Sequence, residues 1–526
     1  MGIDDDVTHL SLPKGPALST LPDTVRQYVF YGFGSDGTVG ASKQAAKIAG
    51  EAKGLFAQEY SWFDSKKSGG LTISYLRLAD GPVRAPWLIE DADYVACNKS
   101  VYVKRGYRMA DKLKEGGTFV LNAQWTDDEL DRQLPPALKA ALAKRRARLF
   151  VVDAAGLAAK HGLGNRINMI MLAVFFKLTD LMPYGTAVDA LKNSVRALYA
   201  HEGADAVKRD LDAIDEAAGA VREVRYPDSW ASALKEAASP DEGLQGLPPR
   251  QNAVLDEAYL KEVFEPMERL EGNALPVSAM DPAGFVPAGT SAYEKRTVAQ
   301  NIPRWNPQKC VQCYECSLVC PHAAIRPFVA TDEELAHAPE SYATAPAKLP
   351  ALAGMAFRIQ VYPQDCVGCG SCADNCPAPG KALVMEPLST QLDEQRENLE
   401  FAQNNVSLKD EVAPADTVPG TQLRQPLLEF SGCCGGCGET PYVKLLTQLF
   451  GPRLVIANAT GCSSIWGAYM PAMPYTVDKH GCGPAWGNSL FEDNGEYGYG
   501  IARGIRVRRE GLSLLVDEAL ADPDGC

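Results

Sequence analysis

The residues with the plainest chemistry are eight cysteines between Cys310 and Pro377, set out as two copies of one pattern: CVQCYECSLVCP at 310–321 and CVGCGSCADNCP at 366–377. Each copy reads C-x-x-C-x-x-C-x-x-x-C-P. Three thiolates at three-residue intervals can wrap one [4Fe-4S] cube while the fourth cysteine reaches a second cube. The spacing therefore predicts crossed ligation, with Cys310, Cys313, Cys316 and Cys376 on one cluster and Cys366, Cys369, Cys372 and Cys320 on the other. Pro321 and Pro377 turn the chain away after each crossing cysteine and remove a backbone donor. Gly368 and Gly370 leave room for N–H groups to approach the sulfurs. Structural zinc also uses C-x-x-C pairs, but it gains nothing from a third cysteine at the same interval followed by C-P. Disulfides are the weaker alternative, because the chain opens without a secretory segment.

A second group lies in EFSGCCGGCGETPYVKLLTQLFGPRLVIANATGCSSIWGA. Cys434 and Cys437 sit in a glycine-rich turn before a helix, and Cys462 follows a strand. Three thiolates from two loops suggest a third [4Fe-4S] cluster with one ligand missing. Cys433 is adjacent to Cys434 and poorly placed for the same cube, and Cys526 sits on the chain end. Cys482, in DKHGCGPAW, is either the fourth ligand or an incidental loop cysteine. Cys97 stands alone at a strand end as a buried small residue or a reactive thiol.

The elements that position these groups are read from periodicity. Residues 1–26 are a polar lead-in. YVFYGFG is a short strand running into Gly34, and SDGTVGASKQAAKIAGEAKG is a turn followed by a helix. A strand, a Gly-rich turn and a helix N-terminus make an anion site, with Ser35, Asp36, Gly37, Thr38 and Gly40 in the loop, although many such turns serve packing only. Lys66 and Lys67 occupy a Gly-Ser loop ahead of an alternating strand, either as phosphate contacts or as a solvated turn. Strands and helices then alternate through APWLIEDADYVACN, the helix-like YVKRGYRMADKLKEG, TFVLNAQW with Asn122 at its end, ARLFVVDAAGLAAKHG and RINMIMLAVFFKLTDLM. Residues 187–223 read as helical, with Leu191, Val195, Leu198 and Tyr199 at core spacing. This alternation predicts a doubly wound parallel sheet over 27–225, with ligands at the carboxyl ends of its strands.

From Tyr226 to Pro307 the composition shifts to Pro, Gly and polar residues and reads as a linker or wrapping segment with one short helix, LDEAYLKEVFEPMERLEG. The cluster module runs from about Val298 to near Pro387, with Phe328 to Met355 as a surface insert, and the segment beyond it contains Cys434, Cys437 and Cys462. At 526 residues the chain holds several cores, and its net charge of -14 argues against nucleic acid. No apolar run reaches the roughly 18 residues that a bilayer span needs, so a membrane role is not expected. Fifteen cysteines in such a chain imply a reduced, oxygen-poor compartment, expected to be cytoplasmic.

The stretches EFSGCCGGCGETPYVKLLTQLFG, ANATGCSSIWGA, PYTVDKHGCGPAWGNSLFEDNGEYG, YGFGSDGTVGASK and FDSKKSGGLTISYLR together resemble the pyruvate:ferredoxin (flavodoxin) oxidoreductase family of the large single-chain type. The resemblance runs along essentially the whole chain. It implies a γ-type α/β domain over 27–225 with a coenzyme A site at 35–40, Lys66 and Lys67, a small connecting domain over 226–290, a two-cluster ferredoxin-like domain over 291–400, and over 401–526 the start of a thiamine diphosphate-binding α/β domain. It also implies oxidative decarboxylation of pyruvate to acetyl-coenzyme A, with electrons leaving singly through three [4Fe-4S] clusters to ferredoxin or flavodoxin. Cys434, Cys437 and Cys462 become ligands of the cluster nearest thiamine, with Glu439, Thr440 and Pro441 as its neighbours. The domains that bind pyruvate, and the G-D-G…N motif that holds Mg2+ and diphosphate, are not found in these residues. The expectation is of a central piece or split subunit, inactive alone, that joins the remaining domains in a homodimer. Alternatives are a pure electron-transfer module, a subunit acting on another 2-oxoacid, and a non-functional gene fragment.

Overall fold

The computed structural model describes every residue except 1–3, 14, 16, 17, 19, 35, 165, 237–255 and 523–526. Ser35, Cys526 and the middle of the connecting segment thus lie outside the described residues. The chain divides into two units. One comprises Met1–Asp64, Ser68–Gln245 and Glu265–Met280; the other comprises Ser65–Lys67, Gly246–Phe264 and Asp281–Cys526. Among the described residues no helix is long and apolar enough to cross a membrane.

The first unit is built on β1 (Arg26–Phe33), β2 (Phe56–Phe63), β3 (Leu71–Ala79), β4 (Ala92–Cys97), β5 (Leu113–Asn122), β6 (Arg148–Val152) and β7 (Val221–Val224). They form one sheet in the order β2-β3-β1-β4-β5-β6-β7. Strands β1, β4, β5 and β6 run parallel as expected. The all-parallel expectation fails at both edges: β3 is antiparallel to β1 and β2, and β7 to β6. At β3 the reason is loop length. The connection from Phe63 to Leu71 is too short for a crossover, which needs a dozen or more residues, so it closes a hairpin.

Side chains on each strand alternate between two cores, one on each face of the sheet. Tyr28, Phe30, Tyr94, Val120 and Phe150 pack under helices Thr38–Lys53, Asn168–Leu178 and Tyr184–Leu198. Val29, Tyr31, Val95, Cys97, Phe119 and Leu149 pack on the other face against Tyr102, Met109, Leu130 and Leu138. Phe175 meets the rings of Tyr28, Phe30 and Tyr94 at 5.0, 5.3 and 5.3 Å. This explains why helix Asn168–Leu178 is apolar around almost its whole circumference: it is buried between sheet and neighbouring helices.

Several local expectations are corrected. The helix-like 101–115 stretch breaks at Gly106 into a single turn, Val101–Lys104, and a 3-10 turn, Met109–Lys112, before β5 begins. The helical 187–223 stretch is two helices, Tyr184–Leu198 and Ala204–Ala220, parted at Gly203, and its end is the edge strand β7. Leu191 and Val195 are buried, but Leu198 is 49% exposed because it lies in the last turn, beyond the neighbouring helix. The LDEAYLKEVFEPMERLEG helix is broken into short turns, Glu257–Tyr259, Leu260–Phe264 and Glu265–Glu268.

In the second unit the strands are β8 (Asn301–Trp305), β9 (Ile325–Ala330), β10 (Ala345–Pro346), β11 (Ala356–Val361), β12 (Leu383–Pro387), β13 (Val455–Ala459) and β14 (Ala485–Ser489). The doubled cysteine motif is matched by a doubled fold. β8, the first motif and β9 are followed by β11, the second motif and β12, with β8 pairing β12 and β9 pairing β11, all antiparallel. Each motif ends in a one-turn helix, Glu315–Leu318 or Ser371–Asp374, that carries its third cysteine. The 328–355 insert is more than a surface loop: it contributes the edge strand β10, and its Tyr342 is buried against Phe401 at 4.8 Å. Beyond it come helices Thr440–Phe450, Cys462–Gly467 and Asn494–Ala521 and the parallel pair β13 and β14.

Candidate metal centre

The eight motif cysteines are all free thiols, gathered where the two motif loops face each other. Cysteines of the two motifs are brought together. One cavity is lined by Cys320 from the first motif together with Cys366, Cys369 and Cys372 from the second. In the other set Cys376 packs against Cys310, and the charges of Cys310, Cys313 and Cys376 all bear on Cys316. Burial, with these like charges added, raises the Cys316 thiol well above its ordinary range, and burial with the charges of Cys320 and Cys366 does the same at Cys372. Cys366 is pushed up to about 12, again mainly by burial. Buried thiols stacked this way are poor as isolated thiolates, and an iron cube that takes their charge resolves the conflict.

Backbone donors already point at the sulfurs. Ala324 N donates to Cys320 Sγ at 3.3 Å, Gly368 N to Cys366 Sγ at 3.4 Å and Ala382 N to Cys376 Sγ at 3.3 Å. Such donors are the usual means of tuning a cluster's potential. Among the described residues no group of three His, Cys, Asp or Glu side chains could hold a single metal ion. A cube makes a different demand, since each cysteine binds its own iron. The donor set fits two cubes.

The loop that carries Cys434 and Cys437 lies against this module. His322, two residues beyond Cys320, is buried; its Nε2 is 3.2 Å from the Cys433 carbonyl oxygen and 3.2 Å from Cys433 Sγ. Phe430 N donates to the His322 carbonyl at 2.9 Å. Burial, and secondarily the charge of Arg296, lowers His322 to about 4, so its ring is neutral. On the far side of the same cavity, a Cβ added to Gly436 would stand 3.5 Å from Ser371 Oγ. Cys433 is 1% exposed, with its thiol raised to about 12 by burial and its Sγ 3.4 Å from Thr440 Oγ1. It packs inward while Cys434 is exposed, as expected of adjacent residues with different duties. Trp466, on the helix that begins at Cys462, donates Nε1 to Glu439 Oε2 at 3.4 Å, which sets the Cys462 loop beside the residue two beyond Cys437. Cys482 is exposed in a separate turn, held by Asp478.

The anion loop of the first unit falls at the switch point of its sheet, where the chain leaves β1 for β2 and β3 on one side and β4 lies on the other. Its side chains are largely occupied. Asp36 accepts from Phe33 N and Thr38 N, both at 2.8 Å, and burial raises its carboxyl. Asn98 Nδ2 donates to Thr38 Oγ1 at 2.7 Å, Asn122 Nδ2 donates to the Asn98 carbonyl at 2.9 Å, and Ala154 N donates to Asn122 Oδ1 at 3.0 Å. This chain of bonds ties the carboxyl ends of β1, β4, β5 and β6 together. Asp36, Thr38 and Asn122 thus serve as scaffold, and Gly37 turns the chain at φ 84° with no room for a Cβ. The open features are Gly40 and the uncapped N-terminus of helix Thr38–Lys53, with no acid in its first turn. Lys99, absent from the sequence expectations, lies at the end of β4 with its Nζ 5.2 Å from the Phe33 ring centre. It was missed because a lysine in a CNKS turn carries no periodic signal.

The two hairpin-loop lysines part company. Lys67 is exposed, with its N–H donating to the Gly432 carbonyl at 2.8 Å. Lys66 is buried, paired with Glu294 at 2.7 Å, and 5.6 Å from the centre of the Tyr469 ring, whose hydroxyl also donates to Glu294 at 3.1 Å. Lys66 therefore acts within the fold and is not a solvent-facing phosphate contact.

Two cysteine motifs that meet at one cavity, with a third cysteine loop beside them, mark an iron–sulfur protein. Residues 27–220 match the family described as pyruvate ferredoxin/flavodoxin oxidoreductase, residues 248–299 one described as a domain of unknown function, and residues 309–380 the 4Fe-4S dicluster domain. Among curated proteins the chain is 47% identical over 523 residues to pyruvate:ferredoxin oxidoreductase of Moorella thermoacetica, covering 99% of this chain and 44% of that protein. It is 46% identical over 525 residues to pyruvate-flavodoxin oxidoreductase of Enterobacter agglomerans, covering 99% of this chain and 43% of that protein. It is also 46% identical over 505 residues to the mitochondrial pyruvate dehydrogenase [NADP(+)] of Euglena gracilis, covering 95% of this chain and 27% of that protein. Residues 27–220 thus carry the pyruvate ferredoxin/flavodoxin oxidoreductase domain, and the chain spans less than half the length of the curated relatives it matches.

Proposed function

We propose that the chain is the electron-carrying part of an enzyme that oxidatively decarboxylates pyruvate to acetyl-coenzyme A and CO2 and delivers the electrons singly to ferredoxin or flavodoxin. The observation that carries this reading is the interleaving of the two motifs, with Cys320 lining the cavity of Cys366, Cys369 and Cys372. Cys434, Cys437 and Cys462, with a fourth ligand still to be identified, hold a third [4Fe-4S] cluster, and Glu439 and Thr440 lie beside it. Electrons enter the two-cluster module at the Cys320 set, because the Cys433–Cys437 loop meets His322, which lines that cavity. They leave from the Cys310, Cys313, Cys316 and Cys376 set. Residues 401–526 begin the thiamine diphosphate-binding domain. When bound with Mg2+ in the complete enzyme, thiamine diphosphate supplies the decarboxylation chemistry. This chain's own residues fix the spacing of the clusters and exclude water from them. The partners are the remaining enzyme domains or subunits, a second copy in a homodimer, and the cytoplasmic acceptor.

Coenzyme A is assigned to the switch point in the first unit. The N-terminus of helix Thr38–Lys53 past Gly37 and Gly40 offers free N–H groups, and Lys99 supplies a cation. Calorimetric titration of coenzyme A tests this: Lys99→Ala weakens binding about tenfold, ~1.4 kcal/mol, and unchanged affinity would remove the site.

The test of the whole reading is the iron and acid-labile sulfide content of the anaerobically reconstituted chain, with an EPR spectrum after reduction. About 8 iron per chain with magnetically coupled signals is the yield of the two-cluster module alone, and about 12 means that the inner cysteines are also loaded. Fewer than about 4 iron would refute the reading.

A further inference from the structure

Helix Thr440–Phe450 carries one lysine, Lys444, whose side chain is 2% exposed and points into the two-cluster module. Its ammonium donates to the carbonyl oxygens of Ser317, Leu318 and Cys320, the last two at 3.1 and 3.3 Å. These carbonyls end the one-turn helix that carries Cys316 and lead into the crossing ligand Cys320. All three donors of the ammonium are thus spent on uncharged oxygens. Among the described residues no carboxylate pairs with it.

A buried ammonium without a counter-ion is costly, and proteins normally pair it or leave it neutral. Burial, and after it the nearby Arg326, lowers Lys444 to about 8, while the ligand thiols Cys320 and Cys316, one from each motif set, favour its charged form. We propose that Lys444 is the fixed counter-charge of the two-cluster module, placed between the clusters to favour their reduced forms and to hold the turn that carries Cys320. The proposal rests on the cluster assignment made above.

The step that Lys444 acts on is the gain of one electron by a cluster, [4Fe-4S]2+ to [4Fe-4S]1+, in which no bond to the protein forms or breaks. Each reduction adds one negative charge next to the same ammonium. A fixed positive charge therefore stabilises the reduced form more than the oxidised one and raises the potential. The same side chain comes from the segment that carries Cys434 and Cys437. The inner loop thus brings the charge that makes the outer clusters better acceptors for electrons arriving from that side.

The test is an EPR-monitored redox titration of the anaerobically reconstituted full chain, comparing wild type with Lys444→Met, Lys444→Gln and Lys444→Arg. The neutral variants are expected to lower the midpoint of at least one motif cluster by about 59 mV, a tenfold loss in the one-electron reduction equilibrium. Lys444→Arg keeps the charge and is expected to stay close to wild type. If Lys444→Met fails to load iron, Lys444→Gln, which keeps a donor for the carbonyls, carries the measurement. Neutral variants that load fully and titrate like wild type overturn the proposal. So does loading that is lost in both neutral variants and kept in Lys444→Arg, because the charge would then serve assembly. Wild-type chain that loads no cluster refutes the cluster assignment itself, a result distinct from either.

Discussion

Substituting Cys376 by serine separates crossed from sequential ligation. Cys376 lies 60 residues beyond Cys316 in the chain, yet its charge bears on Cys316 and its side chain packs on Cys310. It is 8% exposed, and its sulfur accepts from Ala382 N at 3.3 Å. Serine is smaller and keeps its proton where a thiol would ionise, so it gives iron a poor fourth bond while leaving the fold almost unchanged. If the crossover holds, Cys376→Ser loses the cluster of Cys310, Cys313 and Cys316, about 4 iron per chain, and keeps the cluster of Cys366, Cys369 and Cys372. Cys320→Ser gives the mirror result. Both lose the magnetic interaction between the two reduced clusters. Identity is read by combining each variant with a change in a ligand that both schemes share. Cys376→Ser, Cys310→Ser should lose no more iron than Cys376→Ser alone, while Cys376→Ser, Cys369→Ser should lose about 8. The reverse ranking would mean that each motif holds its own cluster and that the grouping of thiols described above is wrong.

Glu294→Gln leaves the Lys66 ammonium buried without its charge partner, since the two side chains are 1% and 6% exposed. A loss of about 3–5 kcal/mol in urea unfolding is expected, and a loss under 1 kcal/mol would show that the pair is not the anchor of this loop. Gly37→Ala forces a Cβ to within 2.7 Å of the Asn168 side chain at φ 84°, and should lower stability by at least ~1–2 kcal/mol. Part of that loss should return on adding Asn168→Ala, and no recovery would mean that backbone strain alone is responsible. Burial opposes ionisation of Glu334, but hydrogen bonds from Ser407 and Thr331 and the Lys409 ammonium outweigh it and hold the carboxyl down at about 2. With its native value depressed, Glu334 contributes stability that is present above its ordinary value of 4.5 and lost as pH falls toward about 2. The difference in unfolding midpoint between wild type and Glu334→Gln should therefore close across that window, and a pH-independent difference would contradict the assignment.

The cluster module was the most legible part of the sequence because cofactor ligation fixes residue type and spacing together. A cube tolerates only thiolates at these intervals, so C-x-x-C-x-x-C-x-x-x-C-P says nearly everything about its local geometry. The parallel centre of the first sheet was legible for a similar reason: β1, β4, β5 and β6 are buried on both faces and read as continuous apolar runs. Edges were not. β3 alternates apolar residues with Thr72, Ser74 and Arg77 yet is buried along its whole length like a central strand, and only the length of the Asp64–Gly70 connection betrays its direction.

What stayed hidden are charges whose partners lie far away in the chain. Lys66 in a Ser-Lys-Lys-Ser loop has the local text of a solvated turn, and its burial depends on Glu294, 228 residues on. Lys444 sits in an amphipathic helix, where a lysine is ordinarily read as the polar face, yet its ammonium caps carbonyls at Ser317, Leu318 and Cys320. No periodicity can register such a residue, because the helix buries it for what it meets in another segment. In this chain those long-range partners join the loop of Cys434 and Cys437 to the ligand Cys320, through His322 to Cys433 and Lys444 to the Cys320 carbonyl. If the motifs hold iron as proposed, the spacing between the cysteine groups is set by side chains that carry no motif, so substitutions there should alter electron transfer while leaving every cysteine in place.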